Sequence, residues 1–294
     1  VIVCIKNSKE QIYSKLKEFG MTMFNDFVPY TEFDEDSIDS EQLKYVKAEK
    51  YIEQRRKKRK IAAFYGTCHM AVYKDSLKRI KAFTDEYVIL DLPLISETEA
   101  GGYPFLKEKW IWEKCNLVVA NQIFAINSYG VWDTQKVLDM AVNAKKIIIT
   151  NAYFEGYFPQ WCASRNPEFR QIFAWEDKNI NRMIEQAYSD NEIIARLKDK
   201  DFYKEDEITQ YFEKNLNVLK KQEQLCDIKM CDYVSLNKNR RILFRSWTHP
   251  TDDFFVELIR RLLNELKIKG EPEVYIKLNV HEQIIYPSVI KALN

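Results

Sequence analysis

Two short stretches of the sequence carry side chains that could do chemistry. Residues 65–69 read Tyr-Gly-Thr-Cys-His, so that a glycine is followed by a hydroxyl, a thiol and an imidazole. Residues 249–251 read His-Pro-Thr. A thiol becomes a nucleophile when an imidazole takes its proton, which makes Cys68 and His249 the candidate nucleophile and base. Their separation specifies no pairing by itself, because such residues are neighbours in space rather than in sequence.

The chain contains few histidines. Of the three histidines, His69 and His249 follow predicted strands beside a helix start, whereas His281 has no such context and is expected to be structural. Each candidate also has a structural interpretation. Cys68 would then be a buried cysteine of a tight turn, and His249 a hydrogen-bonded turn residue held by Pro250.

The elements around residues 65–69 explain why a site is expected there. The apolar run 61–65 predicts a strand that stops at Gly66, and a helical pattern begins at about Ala71. In an open α/β sheet, ligands bind where the carboxyl end of a strand meets the N-terminus of the next helix. Free backbone N–H groups converge at that point and favour an anion.

Alternating apolar strands and amphipathic helices predict the fold class. Strands are predicted at 61–65, 87–91, 117–120 and 147–150, and helices at 71–83 and 134–143. This order is typical of an α/β protein with a parallel sheet flanked by helices. A helical insertion without strands is predicted over 167–225, a last core strand at 242–244, and an amphipathic helix over 254–266.

The N-terminal part is predicted to be a separate appendage. Residues 1–55 should contain a strand–helix–strand unit and a charged linker helix, and residues 56–294 the α/β domain. The unit resembles the end of a nucleotide-binding-type domain, which suggests a neighbouring domain before Val1, but an extra layer packed on the main domain is the alternative. The basic run 55–60 could bind phosphate or nucleic acid, but a solvated linker helix is favoured because an acidic patch precedes it.

Composition excludes several classes of function. The 45 basic and 44 acidic residues nearly cancel, so no nucleic-acid or membrane partner is expected. No apolar run reaches the roughly 18 residues of a membrane span. The six cysteines contain no CxxC pair, which disfavours a zinc site or a disulfide framework and favours a reducing cytoplasm. No metal is expected, and neither GxGxxG nor a P-loop motif is present.

Five aromatic rings lie on the connection 151–161, just beyond a predicted strand. Aromatic loops at that edge of a sheet often build a binding cleft. A hydrophobic lid over the core explains the rings equally well.

Three motifs in the same order resemble the WcbI-type polysaccharide biosynthesis family. Residues 65–69 look like its Y-G-N-C-Q/H opening, and residues 249–251 look like its H-P-T block. Residues 151–159 resemble its P-N-x-Y-F-x-G-Y-x-P block, with Thr150 in place of the leading proline. The resemblance covers about residues 60–266. It implies an SGNH-hydrolase-like or Rossmann-like sheet, binding of coenzyme A or acetyl-CoA, and a bacterial acetyltransferase that decorates capsular or surface polysaccharide.

The resemblance also assigns roles to residues. It implies catalytic roles for Cys68 and His249. The implied cofactor-binding residues are Gly66, Thr67, His69, Tyr157, Pro159 and Thr251.

Some positions depart from the family pattern. Thr67 stands where an asparagine is usual, so that an oxyanion donor would have to be its hydroxyl or the backbone alone. Compared with SGNH hydrolases, Cys68 replaces the serine, and Ser246 stands three residues before His249 in place of an aspartate. Asn121 could take the part of the SGNH asparagine by its position.

The sequence therefore predicts a cytoplasmic, CoA-dependent acyltransferase that acts on a sugar of a polysaccharide precursor. His249 would be the general base, and the turn at residues 66–69 would donate N–H groups to the oxyanion. Cys68 would contact the thioester sulfur or carry the acyl group itself. Two alternatives stay open: an esterase or deacetylase that uses water as acceptor, and a non-catalytic module that binds CoA or a glycan.

Overall fold

The computed structural model describes residues 2–3, 18–19, 28–29, 38–39, 48–95, 108–123, 133–164, 175–276 and 282–294. The chain divides into two compact units. Unit 1 contains residues 1–149 and 262–276, and unit 2 contains residues 150–261 and 277–294.

Unit 1 is built on a parallel sheet. A short parallel pair, β1 (Ile2–Val3) and β2 (Val28–Pro29), comes first in the chain. The main sheet has five strands in the order β3-β5-β4-β6-β7, and every neighbouring pair is parallel. Its strands are β3 (Ile38–Asp39), β4 (Lys60–Tyr65), β5 (Tyr87–Asp91), β6 (Leu117–Asn121) and β7 (Lys145–Ile149).

Helices connect these strands and cover the sheet. They are α1 (Ala48–Arg56), α2 (His69–Lys78), α3 (Lys81–Glu86), α4 (Lys109–Glu113) and α5 (Thr134–Met140). All five residues of β6 and all but the first of β4 are buried, as expected for central strands of a parallel sheet. On one face Ala63 and Val118 pack with Trp112 and Val137 in a single apolar cluster. The predicted α/β class with a parallel sheet flanked by helices is confirmed.

Unit 2 is mainly helical and contains two short antiparallel pairs. Strand β8 (Trp161–Ala163) pairs with β9 (Trp175–Asp177), and β10 (Phe244–Ser246) pairs with β11 (His249–Pro250). The helices are α6 (Lys178–Glu185), α7 (Asp190–Lys198), α8 (Glu205–Gln222), α9 (Cys231–Asn237), α10 (Asp252–Leu266) and α11 (Pro287–Leu293). The last turn of α10 belongs to unit 1. No helix in these described ranges combines the length and apolarity needed to cross a bilayer.

Three element predictions were wrong. Residues 167–225 contain the strand β9, and the expected last core strand is β10, which pairs only with β11 rather than with the parallel sheet. The single helix predicted over 71–83 is two helices, because Ile80 is extended at φ −90° and ψ 103°. Ile80 is buried against the backbone of Gly270, so a tertiary contact overrides the helical pattern.

Some predictions fall on residues that the structure does not describe. The helix of the predicted strand–helix–strand unit lies almost wholly outside the described residues, and His281 lies wholly outside them. The division into residues 1–55 and 56–294 stays a prediction.

Gly156 allows close packing in the core of unit 2. A Cβ atom at this position would stand 2.4 Å from Cζ of Phe154 and 3.1 Å from Cδ2 of Phe212. Both rings are at most 2% exposed and cannot move aside freely. We therefore expect Gly156→Ala to lower the free energy of unfolding by about 1–3 kcal/mol, measured by denaturant titration.

The control for Gly156→Ala is the same change in a Phe154→Leu background. The smaller side chain leaves room for the new methyl group, so the additional loss caused by Gly156→Ala should shrink. An unchanged unfolding midpoint in Gly156→Ala alone would contradict this account of the packing.

Candidate functional site

The turn after β4 is shaped by a close approach between Gly66 and Asn121. A Cβ atom on Gly66 would stand 2.4 Å from Oδ1 of Asn121, well inside contact distance. Asn121 is the fully buried last residue of β6, the neighbour of β4 in the sheet. Its carbonyl oxygen accepts a hydrogen bond from the Thr134 hydroxyl, which fixes this strand end. The carboxyl ends of two adjacent strands thus meet at the predicted site.

Asn121 also accepts hydrogen bonds from both hydrogen-bond donors of Thr67. Its Oδ1 accepts from the Thr67 backbone N–H at 3.2 Å and from the Thr67 hydroxyl at 3.2 Å. Because the hydroxyl donates to Asn121, it is not directed at a ligand as an oxyanion donor. Any donation at this turn therefore rests on the backbone of the residues that follow.

Cys68 is the residue that immediately precedes α2. It has helical dihedral angles, φ −52° and ψ −25°, and its side chain is partly buried. Burial raises the pKa of the Cys68 thiol, while the backbone N–H groups of His69 and of Cys68 itself partly oppose that shift. The thiol is therefore protonated at neutral pH.

His69 is the first residue of α2, and its side chain is fully buried. Its backbone N–H acts to lower the pKa of the neighbouring Cys68 thiol, against the larger effect of burial. A binding role of the His69 ring stays a prediction.

In unit 2, His249 is held by two hydroxyl groups. Its Nδ1 lies 3.0 Å from Oγ of Ser246 and 2.9 Å from Oγ1 of Thr248. Ser246 is paired with His249 across the β10–β11 hairpin and is fully buried. His249 is therefore part of a short strand, which corrects the prediction that it lies in a loop beyond a strand. The hairpin thus fixes the position of the His249 ring.

The His249 ring is arranged to act as a base. Burial lowers the pKa of His249 below its ordinary value of 6.5, so the imidazole is neutral at pH 7. When Nδ1 carries the proton, it donates to Thr248 or Ser246, and Nε2 becomes the acceptor. A neutral imidazole with an accepting nitrogen is what a general base requires.

The second and third sequence motifs meet within unit 2. The N–H of Phe154 donates to the carbonyl oxygen of Trp247 at 2.8 Å. The Trp247 ring also packs against Tyr153, with centroids 5.7 Å apart, and against Trp161, with centroids 4.9 Å apart. The aromatic connection thus supports the hairpin that carries His249.

The other predicted binding residues of unit 2 are largely structural in their contacts. Tyr157 is 2% exposed and packs among the rings of Phe154, Phe158, Phe212 and Phe244. Burial raises the pKa of Tyr157, against a smaller opposite effect of the Leu243 backbone. Pro159 is buried, and the Thr251 hydroxyl donates to the Leu243 carbonyl at 3.2 Å. Direct roles of these three residues in ligand binding stay predictions.

Sequence reasoning missed the hydroxyl pair at His249. The only available signal was the position of Ser246 three residues before the histidine, and nothing indicated Thr248. Within the described ranges, no three His, Cys, Asp or Glu side chains are placed to hold a metal ion. The predicted partners Cys68 and His249 belong to unit 1 and unit 2, respectively, and their pairing stays a prediction.

These features define a class: an α/β protein with a thiol at a strand–helix turn and an imidazole held by hydroxyl groups. The sequence model of the polysaccharide biosynthesis enzyme WcbI matches residues 62–271, and the chain belongs to that family. No curated protein sequence matches the chain significantly.

A solved structure of WcbI has a similar fold. It superposes with a TM-score of 0.65 over 80% of this chain and 80% of its own, at 16% sequence identity. That protein is described as a polysaccharide biosynthesis enzyme in its native form, without a disulfide bond between coenzyme A and one of its cysteines. At this identity the likeness supports the fold of the present chain.

Proposed function

We propose that this protein is a CoA-dependent acyltransferase that transfers an acetyl group to a sugar of a surface or capsular polysaccharide, or of its precursor. The observation that carries the proposal is the Cys68 thiol, which is partly buried at the β4–α2 turn and immediately precedes α2. Membership of the WcbI family and the mention of coenzyme A for the solved WcbI support the choice of cofactor.

The residues of the turn fit a thioester ligand. Gly66 lets the backbone approach Asn121, and Cys68 places a neutral sulfur at the start of α2. Acetyl-CoA, when bound, supplies an acyl group already activated as a thioester. The N–H groups of Cys68 and His69 would stabilise negative charge on the acyl oxygen, as in an oxyanion hole.

His249 would take the proton of the acceptor. Its neutral ring accepts the hydroxyl proton at Nε2, while Ser246 and Thr248 hold Nδ1–H and stabilise the imidazolium that forms. Because the pKa of the Cys68 thiol is raised, direct transfer to the acceptor is favoured over an acyl-cysteine route, which would need a thiolate. In direct transfer Cys68 contacts the ligand.

Isothermal titration with CoA and with acetyl-CoA tests the cofactor. We expect micromolar binding to the wild-type protein and weaker binding to Cys68→Ala, since that variant loses the thiol contact. Cys162→Ala is the matched control, because Cys162 is also a partly buried free thiol but lies in unit 2 on β8. Absence of binding of either compound to the wild type would exclude the transferase.

A hydrolase is the second candidate function. The neutral His249 with its hydroxyl partners favours a hydrolase as much as a transferase, since such a base can also activate water. An esterase or deacetylase would release acetate from an acetylated glycan with no CoA present. Release that depends on His249 but not on added CoA would therefore select the hydrolase.

The proposed location is the cytoplasm. A reducing compartment keeps an accessible thiol such as Cys68 in the reduced form that this chemistry needs.

A further inference from the structure

Unit 2 contains a cavity whose lining includes neither His249 nor the hydroxyl groups that hold it. Its volume is about 230 Å³, larger than the roughly 150 Å³ apolar cavity that is known to take benzene. It lies between the chain after α9 and helix α11. Its walls are formed by Tyr157, Lys238, Arg240, Arg241, Ile242, Ile285, Val289, Ile290, Leu293 and Asn294.

The lining combines apolar and cationic side chains. Five of the ten lining residues are aliphatic, and the Tyr157 ring adds a further apolar surface. Two of the aliphatic residues, Ile242 and Ile290, remain 42% and 40% exposed, so apolar surface continues from the cavity to its rim. Exposed apolar surface beside a cavity is a common mark of a ligand site.

Three cations share this rim, and one of them is not neutralised. Lys238 pairs with Glu213 at 3.0 Å, and Arg241 pairs with Asp253 at 3.0 Å. Among the described residues, Arg240 has no carboxylate partner, and only its backbone N–H is engaged, by the carbonyl of Asn237. Arg240 therefore presents a guanidinium without an ion pair at this rim, and a guanidinium is the group that best binds phosphate and carboxylate oxygens.

We propose that this cavity binds a single anionic amphiphile, with an aliphatic chain between Ile242 and Ile290 and a phosphate-type head group at Arg240. Charge complementarity selects the head group, and the aliphatic wall selects the chain. The whole site lies within unit 2 and is independent of the proposed acyl transfer.

Binding of monomeric decyl phosphate to the full chain tests the proposal, by titration below the concentration at which the compound forms micelles. Arg240→Gln should weaken binding by about tenfold, because it removes a charge-assisted hydrogen bond. Ile290→Asp should weaken it at least as much, because it places a carboxylate at the entry of the chain. Inorganic phosphate lacks the aliphatic chain, and neutral decyl glucoside lacks the charged head group. Each should bind at least about tenfold more weakly than decyl phosphate.

Matched control variants lie on helix α6 of the same unit. Arg182→Gln removes an exposed arginine, and Ile184→Asp adds a carboxylate at an isoleucine that is 60% exposed. Neither residue lines the cavity, and both variants should bind decyl phosphate like the wild type. Ile242→Asp provides a second change at the rim should Ile290→Asp fail to fold.

Other results would overturn the proposal. The proposal is wrong if Ile290→Asp and Ile242→Asp bind decyl phosphate as well as the control variants do. It is also wrong if binding begins only when micelles form. Co-sedimentation with phosphatidylglycerol vesicles without binding of monomeric decyl phosphate would show a membrane surface contact instead of a single-chain site. Displacement of decyl phosphate by CoA would assign the cavity to the cofactor.

Discussion

Replacement of His249 by glutamine is expected to lower kcat for acetyl transfer by about 10²–10⁴-fold, the usual contribution of a general base. Glutamine fills similar space and can still hydrogen-bond to the hydroxyls of Ser246 and Thr248, but it cannot take a proton at neutral pH. Release of free CoA thiol from acetyl-CoA in the presence of a panel of sugar acceptors measures the rate. Binding of CoA by His249→Gln should stay close to that of the wild type.

The pH profile gives an independent check on the same residue. The base must be neutral to act, so activity falls as pH drops through the pKa of His249. Burial lowers that pKa from 6.5, so the acidic limb of the wild-type profile should have its midpoint below pH 6.5. In His249→Gln this limb should disappear from the residual activity.

Two control variants separate the base from the groups that hold it. Ser246→Ala and Thr248→Val each remove one hydroxyl at Nδ1 and leave the other. Each should cause a smaller loss of kcat than His249→Gln and should move the acidic limb, because the hydroxyls stabilise one protonation state of the ring. If His249→Gln keeps most of the wild-type kcat and the same acidic limb, His249 is not the base.

The parallel sheet could be predicted from the sequence because its signals are local. Strands β4 and β6 are short apolar runs, and a glycine ends the first of them. Burial on both faces requires such runs, and the helices between them keep a 3.6-residue pattern. The same reasoning placed Cys68 correctly at the strand–helix turn, since the turn is defined by the residues next to it.

The rest of the site depends on contacts that no local pattern encodes. Thr67 and Asn121 are 54 residues apart, and only the pairing of β4 with β6 brings the amide to the turn. The packing of Tyr157 against Phe212 likewise joins residues that are far apart in the chain, so its burial could not be predicted from its motif. Strand β9 is three residues long, too short for period-2 alternation to be distinguished from a helix end.

Gly66→Ala is expected to lower the free energy of unfolding by about 1–3 kcal/mol and to disrupt the turn that carries Cys68. The new methyl group would stand 2.4 Å from Oδ1 of Asn121, and 2.9 Å from Cε of Met70. Met70 can yield because that atom ends a flexible side chain. Asn121 cannot move aside, because it is fully buried and accepts hydrogen bonds from the backbone N–H and the hydroxyl of Thr67.

A double-mutant cycle with Asn121→Gly isolates the clash, with unfolding by denaturant and CoA titration as the two measurements. Removal of the amide frees the space, so Gly66→Ala should cost less in the Asn121→Gly background, with a coupling free energy of about 0.5–3 kcal/mol. CoA affinity should fall in Gly66→Ala, because a displaced turn moves the N–H groups at Cys68. Additive losses would show that the contact with Asn121 is not what requires glycine. Unchanged CoA affinity in a destabilised Gly66→Ala protein would place the cofactor away from this turn.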